Sequence, residues 1–324
     1  MFLFKIFKSK FKKDEYSNTI ELYDAIPKYV WNQKKENIDL SNAILIRHCN
    51  LRGKRFLIKI KPAIIERKLN TVLIYPGQRE EIVEDVLRKL AVEGKGKIIN
   101  EKAGVIFTLY DLQKELIKIG HGYNLNEIKE AIKVCQGANL ECISNDKKVL
   151  ISSSFFPVIS LTTKKILRKN KNKGMCYIQF NPLVNNAINN LSFRQYNYTT
   201  GMQIRSPLAR YMYKRMSHYW IQAHKLSPYT PSLISFLNCS SRELSMRISE
   251  NIRAMKNALD ILIKKKIISS YSSNKKKYGR KIIDVKYIII PHQNFVKQII
   301  RSNKKKKTII KKALKINFLT VYKK

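Results

Sequence analysis

Twice along this 324-residue chain, two stretches of helical apolar spacing separated by a short Gly- or Pro-bearing break are followed by two runs that alternate apolar and polar residues. Helix, break, helix, ribbon is the order of a winged helix, so the fold class predicted is α+β: two tandem winged-helix domains with a flanking basic arm and tail. The length agrees, because about 324 residues usually divide into two cores. The expected partition is a basic flexible arm at 1–19, a first winged-helix domain with an N-terminal hairpin at 20–173, a second at 174–292, and a basic tail at 293–324.

In the first domain, Ile20 to Trp31 is the first ordered stretch, and Ile44 to Ile60 alternates apolar and basic residues around Gly53, the pattern of a β-hairpin. Glu80 to Glu93 places Ile82, Val83, Val86, Leu87 and Leu90 on one helical face and stops at Gly94. Val105 to Leu109 is a short strand. Thr108 then caps a helix, with Asp111 three residues on and Leu109, Leu112, Leu116 and Ile119 at helical spacing until Gly120. Asn124 caps the next helix with Glu127 in the closing position, and Ile128, Ala131, Ile132 and Cys135 face inward until Gly137. Leu140 to Ser144 and Lys148 to Ser160 alternate around Asn145-Asp146 and form the ribbon.

The second domain repeats the order. Met175 to Phe180 is a strand. A helix from Ser206 to about Ala223, with Pro207 in its first turn, carries Leu208, Met212, Met216, Tyr219 and Ala223 on one face. After Ser227-Pro228-Tyr229-Thr230-Pro231 comes a short helix from Ser232 to Leu237. Ser240 or Ser241 then opens a long helix whose stripe is Leu244, Ile248, Ile252, Met255, Leu259 and Leu262. Ile267 to Ser272 and Lys281 to Ile290 form a second ribbon, joined by a basic loop at 273–280.

Composition narrows the function. Lys and Arg number 64 against 23 Asp and Glu, a formal net charge of +41, while 44% hydrophobic content excludes a disordered tail protein. Abundant Lys, Ile and Asn with 11 Gly and 9 Pro are also the mark of an AT-rich genome, so the position of the charge matters more than its size. Cys49, Cys135, Cys142, Cys176 and Cys239 make no C-x-x-C pair, and the histidines lack metal-ligand spacing, so reduced thiols and no metal or cofactor are expected. No run has signal-peptide form or spanning length, which predicts a cytoplasmic, DNA-associated protein without a membrane. Nicking chemistry lacks its histidine pair, a P-loop lacks its first glycine, and no carboxylates cluster for two metals. The chain reads as a binder and not an enzyme.

Opposite the stripe of the long second-domain helix stand Arg242, Met246, Ser249, Arg253 and Lys256, the expected recognition surface, with Arg suited to bidentate contact with guanine. Asn257 shares that face, and Glu250 and Asp260 flank it. Lys275, Lys276, Lys277, Arg280 and Lys281 at the ribbon tip, with Arg210 and Lys214 on the helix from Ser206, are expected to meet the phosphate backbone. In the first domain Asn126, Lys129 and Lys133 form a weaker version, and that helix equally suits a dimer contact. The block Lys304 to Lys307 is expected to be mobile and to raise non-specific affinity. Tyr196, Tyr198, Tyr213, Tyr219 and Trp220 fit core or interface positions.

The blocks IELYDAIPKYVW (20–31), VIFTLYDLQKELIKIGH (105–121), IQFNPLVNNAINNLSFRQYNY (178–198) and SPLARYMYKRMSHYW (206–220) resemble replication initiator proteins of plasmids and integrative elements, of the tandem winged-helix, replication-initiator-A-like type. The resemblance covers most of Ile20 to Ile290. It implies binding to repeated sites in double-stranded origin DNA, melting of adjacent AT-rich DNA, and recruitment of the host initiator and replicative helicase. It also implies a homodimer as a repressing form. A winged-helix transcriptional repressor without origin melting is the alternative, and an RNA-binding or general nucleic-acid coating protein is the third reading.

Overall fold

The computed structural model describes residues 16–31, 43–67, 70–146, 150–161 and 174–315. The expected arm over 1–15, the start of the first ribbon's second strand at Lys148 and the last residues of the tail lie outside this set. Residues 16–19, expected in the arm, instead belong to a buried strand, β1 (Tyr16–Ile20).

The hairpin around Gly53 forms as β2 (Leu45–Leu51) and β3 (Lys54–Lys61), closed by Arg52 and Gly53 at φ 50° and 76°. Two successive positive φ values are what a right-twisted two-residue hairpin turn demands. A further hairpin that the periodicity does not reveal follows, β4 (Ala63–Glu66) with β5 (Thr71–Ile74). Helix α1 (Gln78–Leu90) buries every residue from Glu80 to Leu90, acids included, so it is sandwiched rather than half-exposed. It runs into a π-helical turn, Ala91–Lys95, in which Gly94 takes φ 109°.

Strands β6 (Gly96–Ile99) and β7 (Lys102–Thr108) lead into α2 (Leu109–Lys118), where Thr108 and Asp111 make the expected reciprocal cap. Helix α3 (Leu125–Gly137) opens on the Asn124 and Glu127 box, with Ile128, Ala131, Ile132 and Cys135 buried. The ribbon β8 (Asn139–Ser144) and β9 (Leu150–Ser154) joins the earlier hairpin in one antiparallel sheet, β2-β3-β8-β9.

The boundary expected after residue 173 meets a continuous sheet. Short β10 (Ile159–Ser160) pairs with β11 (Met175–Gln179), and β11 pairs with β7 from Met175↔Thr108 to Gln179↔Gly104. At Gly104 a Cβ would stand 2.4 Å from the Ile178 carbonyl oxygen, so the approach of these strands requires glycine. The next elements, α4 (Pro182–Asn189), β12 (Phe193–Asn197) and α5 (Tyr198–Met202), also tie back: Asn185 accepts the Ala103 amide at 2.8 Å, and β12 pairs with β1.

The second winged helix comprises α6 (Pro207–Tyr219), α7 (Leu233–Cys239), α8 (Ile248–Lys264) and the ribbon β13 (Ile268–Tyr278) with β14 (Lys281–Pro291). Between the two winged helices lies the irregular segment 21–31, with Tyr23, Ile26, Tyr29 and Val30 buried. The Tyr211 hydroxyl sits 3.0 Å from the Ala25 carbonyl and 2.8 Å from that of Cys239, and the Tyr29 amide donates to Ser241 Oγ. Tyr196, Tyr198, Tyr213 and Trp220 are buried as expected of core aromatics, and all five cysteines are buried free thiols.

The largest departure is at the end. Residues 293–315 are not a mobile tail but a helix, α9 (Gln293–Lys315), whose inner residues Phe295, Ile299, Ser302, Ile309 and Ala313 are buried. A block of lysines hides this periodicity, because apolar residues recur on only one narrow face.

Candidate nucleic-acid interface

Helix α8 keeps the expected stripe, with Met255, Ala258, Leu259 and Leu262 buried and Ile248 and Ile252 packed against them. Its start is corrected: it begins at Ile248, not at Ser240 or Ser241. Serines compete with helix formation by bonding the local backbone, and the serines here do so. Ser240 Oγ donates to the Leu237 carbonyl, Ser245 Oγ donates to Glu250, and the Arg242 and Arg247 amides donate to Ser240 Oγ and Ser245 Oγ. The buried Asn251 completes the arrangement, accepting the Ser245 amide at 3.0 Å and donating to its carbonyl at 2.8 Å.

Arg242 and Met246 therefore leave the helical face assigned to them. Arg242 is half-buried in the loop, with its Nε enclosed. Met246 is fully exposed, at 105% relative accessibility, on the pinned loop just before α8. Ser249, Arg253, Lys256 and Asn257 stay on the outer face of the helix and are exposed. Arg247, which spacing alone does not select, is exposed beside them at the N-cap.

The acids that flank this surface are engaged locally. Glu250 takes the Ser245 hydroxyl at 2.5 Å and stands 4.0 Å from the Arg247 guanidinium, and Asp260 accepts the Tyr271 hydroxyl at 3.1 Å. Asp284 on β14 accepts Ser232 Oγ at 2.5 Å and the Ile234 amide at 3.1 Å, so a wing strand caps α7. That contact fixes the ribbon relative to the helix pair.

The ribbon itself differs from expectation. The expected loop 273–280 is strand almost throughout, paired from Ser273↔Tyr287 to Tyr278↔Lys281, and only Gly279 and Arg280 turn, with Gly279 at φ 57°. Lys275, Lys276, Lys277, Arg280 and Lys281 are all exposed on this ribbon.

Arg210 and Lys214, expected to touch phosphates, are buried and face the protein. Arg210 reaches Glu81 at 3.4 Å, and Lys214 reaches Asp85 at 2.5 Å and Glu81 at 3.8 Å. Glu81 also accepts the Trp31 indole at 2.9 Å. Nearby, Arg88 bonds Asp24 through two nitrogens at 2.7 Å, and Lys28 reaches Asp24 at 3.2 Å. Burial by itself would raise the Asp24 carboxyl, but Arg88 and Lys28 hold it well below the usual carboxylate range. Arg210 and Lys214 thus clamp α6 of the second winged helix to α1 of the first, and Asp24 ties the segment 21–31 to α1. A helix with a polar outer stripe reads as solvated from its own sequence; its acidic complement lies more than a hundred residues upstream.

On α3, Asn126 and Lys133 are exposed and Lys129 is half-buried. Lys129 lines an apolar cavity of about 830 Å³ with Tyr110, Leu125 and Met175. Neighbouring Glu130 is paired with Arg79 at 3.0 Å and Arg67 at 3.5 Å. Among the described residues, no helix is long and apolar enough to cross a membrane, and no three His, Cys, Asp or Glu side chains gather to hold a metal ion.

Residues 81–217 match the family model described as initiator replication protein, WH1. No curated protein sequence matches the chain. Among solved structures, the Pi initiator protein in complex with iteron DNA is similar at 14% identity over 66% of this chain and 90% of that one, with a TM-score of 0.44. Two crystal structures of domains 2 and 3 of RctB are similar at 9% identity. One, of selenomethionine derivatives, covers 83% of this chain and 97% of its own at a TM-score of 0.48, and the other 85% and 99% at 0.47.

Proposed function

We propose, from the match of residues 81–217 to the family model of initiator replication proteins, that the chain recognises repeated duplex sites in the origin of a plasmid or mobile element. The observation that carries this reading is the outer face of α8, where Arg253 and Lys256 stand exposed while Asp260 is held by Tyr271 and Glu250 by Ser245 and Arg247. Such a face suits the major groove, which is wide enough for a helix and offers guanine acceptors to arginine. Met246, Arg247 and Ser249 extend it at the end of the helix that enters the groove first.

The wing lysines add a sequence-independent contribution by neutralising phosphates from a ribbon paired nearly to its tip. Asn126, Lys129 and Lys133 of the first winged helix supply a lesser contact. The chain contributes no covalent chemistry. Binding energy bends and opens the adjacent AT-rich tract, whose pyrimidine–purine steps deform easily, and the complex then receives the host initiator and replicative helicase. A homodimer is the repressing form.

Permanganate footprinting on a supercoiled origin tests the reading. Unpaired thymines next to the bound repeats are expected; protection of the repeats without them would mean a repressor. Equal affinity for the repeats and for random duplex at one stated salt concentration would remove sequence recognition altogether.

A further inference from the structure

Helix α9 is docked by everything on its inner side. Phe295 packs against Tyr213 and Trp220 with ring centroids 6.1 and 5.7 Å away. Gln298 accepts the Tyr213 hydroxyl at 2.9 Å, Ser302 Oγ donates to the Gln195 carbonyl at 2.5 Å, and Asn303 bonds Arg194 and the Ile221 carbonyl. The four-lysine block divides accordingly. Lys305 Nζ lies 3.3 Å from the centre of the Tyr16 ring and Lys306 Nζ donates to the Phe193 carbonyl at 2.9 Å, while Lys304 and Lys307 are exposed.

The outer side is cationic from end to end. At about 100° per residue, Lys297, Arg301, Lys304 and Lys311 fall within roughly 40° of one line, with Lys307 and Lys312 flanking it. All six are exposed. At about 1.5 Å per residue the row is on the order of 21 Å long. No Asp or Glu occurs anywhere after Asp284. Like charges three and four residues apart weaken a helix, so this row is held together by the docked face at a cost to its own stability. A solvated surface helix ordinarily mixes both signs along such a face; a row of one sign, extended and regular, fits a partner that is itself a regular ladder of negative charge.

We propose that the outer face of α9 is a second duplex-DNA surface, gripping the phosphate backbone beyond the site read by α8. The inference rests on the DNA-binding reading given above. His292 alone separates α9 from β14, so the helix follows directly on the wing. Most of its apolar face is consumed in docking: Phe295, Ile299, Ile309 and Ala313 are buried, and the exposed Ile300 and Leu314 stand about 21 Å apart along the helix at about 1.5 Å per residue, too separated to form the continuous apolar face with which a helix lies in a bilayer. The surface lengthens the footprint without reading sequence.

The test uses the full chain with Lys304→Gln, Lys307→Gln and Lys311→Gln combined, and random-sequence duplexes of increasing length. For the wild type, affinity should rise as the duplex extends past the α8 and wing contacts, and the triple variant should lose that rise. The slope of log affinity against log salt should fall by about 0.9 for each phosphate that is no longer neutralised, so by roughly 2 to 3. The corresponding triple Lys→Arg variant should restore it, and an unchanged circular dichroism spectrum and melting temperature show that α9 is still folded. A wild-type slope in the folded Gln variant overturns the proposal. So does a variant that keeps its DNA slope but loses binding to phosphatidylserine vesicles, since the surface would then serve an anionic membrane. If the wild type binds no duplex at all, the DNA-binding reading itself falls, a result distinct from either of these.

Discussion

Arg253 and Arg210 are both arginines on the polar face of an amphipathic helix, and only their surroundings separate their roles. Arg253 is exposed on α8, whereas Arg210 is 1% exposed and reaches Glu81. Arg253→Ala should cost about 1 to 3 kcal/mol on the specific site and relax discrimination there, as competition binding against a mutated repeat would measure. Unchanged discrimination would remove Arg253 from the groove. Lys214→Ala should instead destabilise the fold by about 3 to 5 kcal/mol, because Asp85 would remain buried without its cation, while Glu81 keeps Arg210. Urea unfolding reads that loss, and DNA affinity per folded molecule should stay near that of the wild type. Sequence spacing places both residues on outer faces; it has no means to see that the second face is covered by α1.

At the scale of the element, capping chemistry is the most legible feature. The Thr108–Asp111 and Asn124–Glu127 boxes form as their spacing foretells, because both partners of each box lie within one turn. The start of α8 is hidden for the opposite reason: Leu244 continues the apolar stripe, but Ser240 and Ser245 draw the backbone into a loop and Asn251 holds it there. Asn251→Ala should free residues 245–247 and cost roughly 1 to 3 kcal/mol, since it leaves the Ser245 amide and carbonyl without that partner. A drop in melting temperature with faster amide exchange at 245–247 is the expected result. The wing is legible in composition but not in form. Its lysines ride on a ribbon paired nearly to the tip, so replacing Lys275, Lys276 and Lys277 by Gln should weaken binding to all duplexes equally and flatten the salt dependence. A loss confined to one sequence would contradict a backbone role.

The whole molecule is joined at a place the sequence does not advertise. β1, β12, α6 and α9 meet around His218, whose Nδ1 shares a 2.9 Å hydrogen bond with Thr19 Oγ1. Burial, with Arg194, Lys306 and Arg52 adding to it and Asp24 opposing, pushes His218 down to about 4. A histidine with a lowered folded-state pKa is neutral in the native protein, so its contribution is fully present above about pH 6.5 and is lost as the unfolded chain takes up the proton on the way down to about 4. The loss is on the order of 3 kcal/mol. Denaturant unfolding between pH 7 and 4 should show it, and His218→Gln should flatten the profile over that window. An equally steep profile in the variant would shift the cause to the buried carboxylates.

What the sequence determined by itself was local: which stretches are helices, where they are capped, that two helix-pair-and-ribbon units follow one another, and that one helix of the second unit carries basic residues opposite its apolar stripe. These follow from periods of two and 3.6 residues and from caps within a single turn, all of which act over short range. Only the tertiary structure decided which cations face solvent. It turned Arg210 and Lys214 inward onto acids from α1, paired a strand of the supposed arm with β12, and laid a block of lysines along that strand as a helix. Each of those outcomes depends on groups brought together from distant parts of the chain, and charge pairing across such distances leaves no periodic trace in the sequence.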